Sequence, residues 1–284
     1  MTNPGRVDEF SNDGLRFRVR DVGPLDGQLI IALHGFPQTS TSWEAVGRRL
    51  AEAGNRVLAF DQRGYSPAAR PREVSAYRVD RLAGDVLALA DAVEVDRFHV
   101  VGHDWGGGVA WYLGAHHADR LHTLTAVSTP HLRALLAAMP KGQALRSWYM
   151  LWFQLPWLPE FVLRVRDGAI ASWTLRRAGA RNPSEAVRLL SDQGAATGAI
   201  NWYRGLRVPG ARPYGTVAVP TLYVWSDRDP ALGRRAAVDT RRWVTGPYRF
   251  EILRGVSHWI PEERPDELAD MIIGHINSHS GGGS

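Results

Sequence analysis

The segment Val100-Val101-Gly102-His103-Asp104-Trp105-Gly106-Gly107 restricts the fold more than any other stretch of the chain. It follows the short apolar run Phe98-His99-Val100-Val101 and leads into the helix-like Gly107 to His116. A strand-to-helix reversal this sharp strains the backbone of its central residue and needs small residues two positions before and two after it. Gly102 and Gly106 hold those positions, so the side chain of Asp104 should stand up at a helix N-terminus. The unpaired N–H groups and partial positive charge of that terminus suit a carboxylate.

The rest of the chain supplies a frame for such a turn. Phe10 to Arg20 reads as a hairpin with Asn12-Asp13-Gly14 at its tip, and Leu29 to Leu33, Arg56 to Phe60 and Leu121 to Val127 read as buried strands. Between them, Thr41 to Ala53 and Ala76 to Ala92 carry apolar residues at a helical period, the first closing at Gly54. Strands alternating with helices in this way predict a mainly parallel sheet covered on both faces. The alternation stops after Pro130 and resumes with Thr221 to Trp225, a helix near Leu232 to Val244, a strand from Tyr248 to Leu253 and a helix from Pro265 to Asn277. Residues 1–130 and 216–280 are therefore expected to form an α/β core, and 131–215 a Trp- and Pro-rich helical cap inserted after the sixth strand. Such an insertion would lie over the carboxyl ends of the strands, where open α/β sheets bind ligands. Gly281-Gly282-Gly283-Ser284 reads as an appended linker.

An aspartate in the place of the usual serine changes the chemistry of the turn. A carboxylate attacks saturated carbon and forms an alkyl ester that must itself be hydrolysed, which suits epoxides or alkyl halides. The plain alternative is a helix-capping aspartate in a nucleotide-binding fold, and the acid and histidine further along the chain argue against it. Val224-Trp225-Ser226-Asp227-Arg228-Asp229 places two acids beyond a strand end, and Gly255-Val256-Ser257-His258-Trp259 places a histidine beyond the last strand. His258 should take a proton from water while an acid fixes its tautomer. Asp229 is favoured over Asp227 because it lies further into the loop. The loop His34-Gly35-Phe36-Pro37 follows the first parallel strand, so the amides of Phe36 and Trp105 are candidates for an oxyanion hole. His34 is read as a loop-fixing residue, not a catalyst.

Composition narrows the remaining classes. The 284 residues include no cysteine, which excludes disulfides, thiolate metal sites and a cysteine nucleophile. No histidines and acids stand at a recognisable metal spacing, and neither a metal nor a cofactor is expected. The net charge of +5 comes from scattered or acid-paired arginines, so nucleic acid is not an expected partner. The first thirty residues are charged throughout, and no apolar run reaches membrane-spanning length. The expectation is a cytoplasmic protein without a membrane partner; a homo-oligomer stays open.

With these motifs in hand, the chain resembles the epoxide hydrolases of the α/β-hydrolase fold over nearly its whole length. The family's HGFP loop matches His34 to Pro37, its D-x-R-G-Y segment matches Asp61 to Tyr65, and its HDWG turn matches His103 to Gly106. The family's two ring-opening tyrosines lie in Y-x-x-[YW]-F-Q and N-W-Y-R, matched by Tyr149 to Gln154 and Asn201 to Arg204. The resemblance therefore implies Asp104 as nucleophile, Asp229 and His258 as the hydrolytic pair, and Tyr149 and Tyr203 as acids toward the ring oxygen. It implies no cofactor, a small apolar or aryl epoxide and water as reactants, and Trp105, Phe36, Trp148, Trp152, Phe153 and Trp259 as substrate-binding residues. Haloalkane dehalogenases share the Asp-Trp turn, but Phe36 stands where they commonly place an asparagine. A non-catalytic receptor that kept a hydrolase pocket is a third possibility, opposed by the intact nucleophile, acid and base.

Overall fold

The computed structural model describes residues 5–279, so the residues read as an appended linker lie outside it. Among the described residues one sheet holds β1 (Glu9–Asn12), β2 (Leu15–Val22), β3 (Leu29–Leu33), β4 (Arg56–Phe60), β5 (Phe98–His103), β6 (Leu121–Val127), β7 (Thr221–Ser226) and β8 (Tyr248–Leu253). The strand order is β1-β2-β4-β3-β5-β6-β7-β8. β1 and β2 form the hairpin, with Asp13 and Gly14 both at positive φ, as the two central residues of a type I′ turn require. β2 joins β4 antiparallel, and every pairing from β4 to β8 is parallel.

Helices cover both faces. α1 (Glu44–Glu52) and the terminal α12 (Pro265–Asn277) pack together on one side, while α2 (Val79–Ala92) and α3 (Trp105–His116) pack on the other. β3 shows how a two-residue period divides an unbroken apolar run between the two cores. Its Leu29, Ile31 and Leu33 join the α2 and α3 side, whereas Ile30 and Ala32 meet Val46 and Leu50 of α1 and Ile272 of α12.

Between β6 and β7 the chain is helical. It forms α4 (Leu132–Ala138), α5 (Gln143–Arg146), α6 (Trp148–Trp152), α7 (Leu158–Arg177), α8 (Ser184–Ser191) and α9 (Gln193–Gly205). α7 is broken over Val165 to Gly168, where Arg166, Asp167 and Gly168 take positive φ, so it acts as two shorter helices. α10 (Arg234–Asp239) ends earlier than the sequence pattern suggests, because the chain tightens into a 3-10 turn over Thr240–Trp243. α11 (Ile260–Glu263) is a single turn before α12. α3 begins two residues before the expected Gly107, since it starts directly after the nucleophile turn and packing outweighs the weak helix propensity of three consecutive glycines.

Two glycines show how tightly the site is built. A Cβ on Gly102 would lie 2.2 Å from the carbonyl oxygen of Gly106, and one on Gly35 would lie 2.3 Å from Cβ of Asp104. The first lets α3 fold back against β5. The second lets the loop after β3 press against the nucleophile.

Candidate active site

Asp104 sits between β5 and α3 at φ 50 and ψ −118, a backbone conformation that costs a non-glycine residue about 1–3 kcal/mol. Its surroundings hold it there. The Asp104 N–H donates to Val127 O at 3.2 Å, and Asp104 O accepts from Gly108 N at 3.1 Å and from Thr129 Oγ1 at 2.7 Å. Thr129 had no signal in the sequence, because its role exists only once β6 lies beside β5.

The carboxylate of Asp104 is held at both oxygens. Oδ1 accepts from the Phe36 amide at 2.9 Å, and Oδ2 lies 3.4 Å from His258 Nε2. Trp105 is the first residue of α3, so its N–H has no acceptor within the helix and lies beside the nucleophile. On the far side of the imidazole, His258 Nδ1 is 2.7 Å from Asp229 Oδ2. The other oxygen of Asp229 accepts from the amides of Ala231 and Leu232, so this fully buried carboxylate is satisfied without a solvent contact. Asp227 instead accepts from the Gly255 amide at an exposed turn and does not reach His258.

The electrostatics follow from this chain of contacts. Burial alone would favour neutral imidazole at His258, but the Asp229 charge and the hydrogen bonds to Asp104 and Asp229 outweigh it and raise His258 to about 10. Burial likewise works to raise Asp104, and its hydrogen bond to His258 and the charge of that imidazolium hold it below the usual carboxylate range. At neutral pH the resting site therefore contains an ionised carboxylate beside an imidazolium.

The backbone of His258 is fixed by residues that sequence reasoning passed over. Its carbonyl oxygen lies 2.9 Å from both His103 Nε2 and Ser128 Oγ, and His103 Nδ1 lies 2.9 Å from Gln38 Oε1. His103 is fully buried with its ring against that of His258 at 4.9 Å, and burial together with the charge of His258 lowers it to about 4. His34 is also buried, accepting from the Gln62 amide at Nε2, which ties the loop after β3 to the segment after β4.

Tyr149 on α6 and Tyr203 on α9 face the nucleophile from above, with ring centroids 6.0 Å apart. Burial pushes both hydroxyls well above the ordinary phenol range, and the charge of Asp104 adds to it, so both stay protonated. Their segments are laced together by neighbouring residues of the same two motifs. Gln154 Nε2 donates to Tyr203 O at 3.0 Å, and Arg204 donates to the carbonyls of Phe153 and Leu155 while pairing with buried Glu160 at 2.6 Å. Trp202 Nε1 donates to Arg63 O at 2.7 Å, and Arg63 is itself fixed by a buried ion pair with Asp85. This links the segment after β4 to α9.

Two chambers meet at Asp104, Tyr149 and Tyr203. The larger, about 540 Å³, is lined by Phe36, Trp148, Trp152, Phe153 and Trp259, together with Trp173, which no local motif marks. The smaller, about 60 Å³, is lined by Trp105, Leu132, Leu135, Met150 and Leu232. Trp105 thus faces the smaller chamber, while Trp148 is 63% exposed and stands at the mouth of the larger one. Among the described residues no group of three or more His, Asp or Glu side chains is arranged to hold a metal ion, and no helix is long and apolar enough to cross a membrane.

The sheet order, the turn at Asp104 and the acid and histidine beyond β7 and β8 define a class. The chain belongs to the alpha/beta hydrolase fold family, which matches residues 28–265. It is 33% identical to the AB hydrolase superfamily protein YfhM of Bacillus subtilis (strain 168), over 95% of this chain and 98% of that protein. It is 31% identical to Epoxide hydrolase A of Mycobacterium tuberculosis, over 92% of this chain and 94% of the relative. Of the solved structures, Epoxide Hydrolase A from Mycobacterium thermoresistibile superposes with a TM-score of 0.79 at 26% identity, covering 95% of this chain and 97% of that one.

Proposed function

We propose that this protein hydrolyses epoxides to vicinal diols through an ester on Asp104, with 131–215 as a cap on a catalytic core formed by 1–130 and 216–280. The observation that carries the reading is the placement of Tyr149 and Tyr203 over a carboxylate whose other neighbours are the Phe36 amide and the His258 ring. Displacing an alkoxide from carbon needs a proton donor opposite the nucleophile, whereas a halide leaves without taking a proton. The relatives named as epoxide hydrolases support the same reading.

The cycle balances within these residues. Oδ1 of Asp104 rests on the Phe36 amide, which leaves Oδ2 to attack a ring carbon. As the C–O bond breaks, the ring oxygen takes a proton from Tyr149 or Tyr203, and the tyrosinate recovers one from the His258 imidazolium. Esterification removes the Asp104 charge that helped His258 hold its proton, so the imidazole is released as a base at the step that needs one. His258 then takes a proton from water, and the hydroxide adds to the Asp104 ester. The oxyanion is met by the Phe36 and Trp105 amides, and the second proton of that water leaves on the diol oxygen. No cofactor is required. The unequal chambers orient the substrate, with an aryl or other large apolar group in the larger and a small substituent in the smaller.

The direct test supplies an aryl epoxide and a bromoalkane to the purified protein and follows diol and bromide. Diol from the epoxide is expected; bromide release without diol would reassign the site to dehalogenation. The pH dependence tests the proton inventory. As pH falls, free Asp104 stays ionised because its carboxyl is held low, whereas in the ester, where His258 has lost the support of the Asp104 charge and is free to act, it takes up the proton that blocks its action as a base. Ester hydrolysis should therefore fail before ester formation, and acid-quenched protein should carry more adduct as pH decreases. Adduct that instead accumulates toward alkaline pH would rule out His258 as the base.

A further inference from the structure

The outer face of the cap holds no residue that reacts in the cycle, yet it concentrates two kinds of side chain. Eight of the twelve large hydrophobic side chains exposed among the described residues lie between 145 and 173, including all four exposed aromatic ones, Trp148, Trp157, Phe161 and Trp173. Singly scattered exposed apolar residues need no explanation, but a cluster of this kind marks a contact surface. Trp157 caps the N-terminus of α7, Phe161 and Arg164 follow three residues apart in its first half, and Ile170, Trp173 and Arg177 are spaced three and four apart in its second. Within the helix that spacing puts Phe161 with Arg164, and Ile170 and Trp173 with Arg177, on one face of their own half. The guanidinium of Arg177 lies 5.2 Å over the Trp173 ring, so aromatic and cation share the surface.

The charge of the molecule is divided in the same way. Residues 131–215 contain twelve Lys and Arg against four Asp and Glu, a net +8, so the rest of the chain carries −3 within its total of +5. Arg164, Arg166, Arg176, Arg177, Arg181 and Arg188 are exposed, and among the described residues none of them pairs with a carboxylate.

We propose that this face of the cap docks on an anionic lipid bilayer surface, lying in the headgroup plane with its aromatic rings at the interface and its guanidinium groups on the lipid phosphates. Tryptophan favours that boundary, and each basic residue close to an anionic leaflet adds attraction. A second copy of the chain is the poorer occupant, because a two-fold contact through this face would set +8 against +8. The sequence expectation of no membrane partner rested on the lack of a spanning segment; a surface contact needs none. Trp148, Ile170 and Trp173 also line the larger chamber, so docking would turn its mouth toward lipid, where apolar epoxides partition. This last consequence rests on the epoxide reading, whereas the docking does not.

The test sediments the whole protein with vesicles of phosphatidylcholine alone and of phosphatidylcholine mixed with phosphatidylglycerol. Binding to the mixed vesicles that weakens with added salt is expected. Arg164→Glu with Arg177→Glu should lower the partition coefficient at least about tenfold, and Trp157→Ser with Phe161→Ser should weaken it comparably. Both variants alter exposed side chains and should keep the parent's melting temperature and its turnover of a water-soluble epoxide. The proposal is overturned if the parent does not sediment with the mixed vesicles, or binds both compositions equally. It is also overturned if the variants bind undiminished, or if gel filtration shows a dimer that the same substitutions dissociate while vesicle binding is absent. Vesicle binding without epoxide turnover would uphold the docking and remove the epoxide reading alone.

Discussion

Asp104→Asn is expected to lower kcat for an aryl epoxide by about 10⁴-fold or more, the scale on which loss of a nucleophile acts. The amide is close in size to the carboxylate and can still accept from Phe36 N at the Oδ1 position, so the pocket should keep its shape. It lacks the negative charge that attacks carbon. The partner variant separates the two halves of the cycle. In His258→Gln the nucleophile remains, but water is no longer activated, so the ester should form once and persist. Incubation with an aryl epoxide should then raise the intact mass by one whole epoxide, and peptide mapping should locate it on Asp104. An unmodified His258→Gln protein, together with undiminished turnover by Asp104→Asn after deamidation has been excluded, would dismiss the covalent scheme.

The second large effect concerns the leaving group. Removing one oxyanion donor typically costs about 10²–10³ in rate. Tyr149→Phe or Tyr203→Phe alone leaves the other hydroxyl in place, so each should fall toward the lower end of that range. Together they should suppress ester formation by about 10⁴-fold, measured as the single-turnover rate in the His258→Gln background. The rings remain to pack: Tyr203 lies against Phe36, Trp105 and Phe153, and Tyr149 against Phe153. Loss of rate would therefore report the hydroxyls and not a collapsed cap. Any alkylation by a bromoalkane provides the control, since halide departs without a proton and its rate should not change. A double variant opening epoxides at the parent rate would remove both tyrosines from the mechanism.

The legible parts of the protein are those written in local pattern. Unbroken apolar runs such as Leu29 to Leu33 announce strands covered on both faces, and the two-residue turn at Asp13-Gly14 announces the hairpin, because side-chain period and permitted φ are properties of a few adjacent residues. The turn at Asp104 is legible for the same reason, since glycine is demanded wherever backbone must approach backbone. Helix boundaries were less so. The start of α3 and the early end of α10 were set by packing that overrides propensity.

What the sequence by itself determined was therefore the strand and helix order, the place of the insertion and the residue types capable of the chemistry. The tertiary structure decided which of those residues meet. Asp229, not Asp227, reaches His258; Thr129, Ser128, Gln38 and His103 brace Asp104 and His258; and Gln154, Arg204 and Glu160 lock the two tyrosine segments together. It also decided that the cap presents its tryptophans both to the chamber and to the outside, and that the chamber is large on one side of the nucleophile and small on the other. The physical reason is distance along the chain. Hydrogen bonds between residues 29 to 155 positions apart, such as those joining His258 to Asp229 and to His103, arise from how the strands and the cap come together, and no local period encodes them.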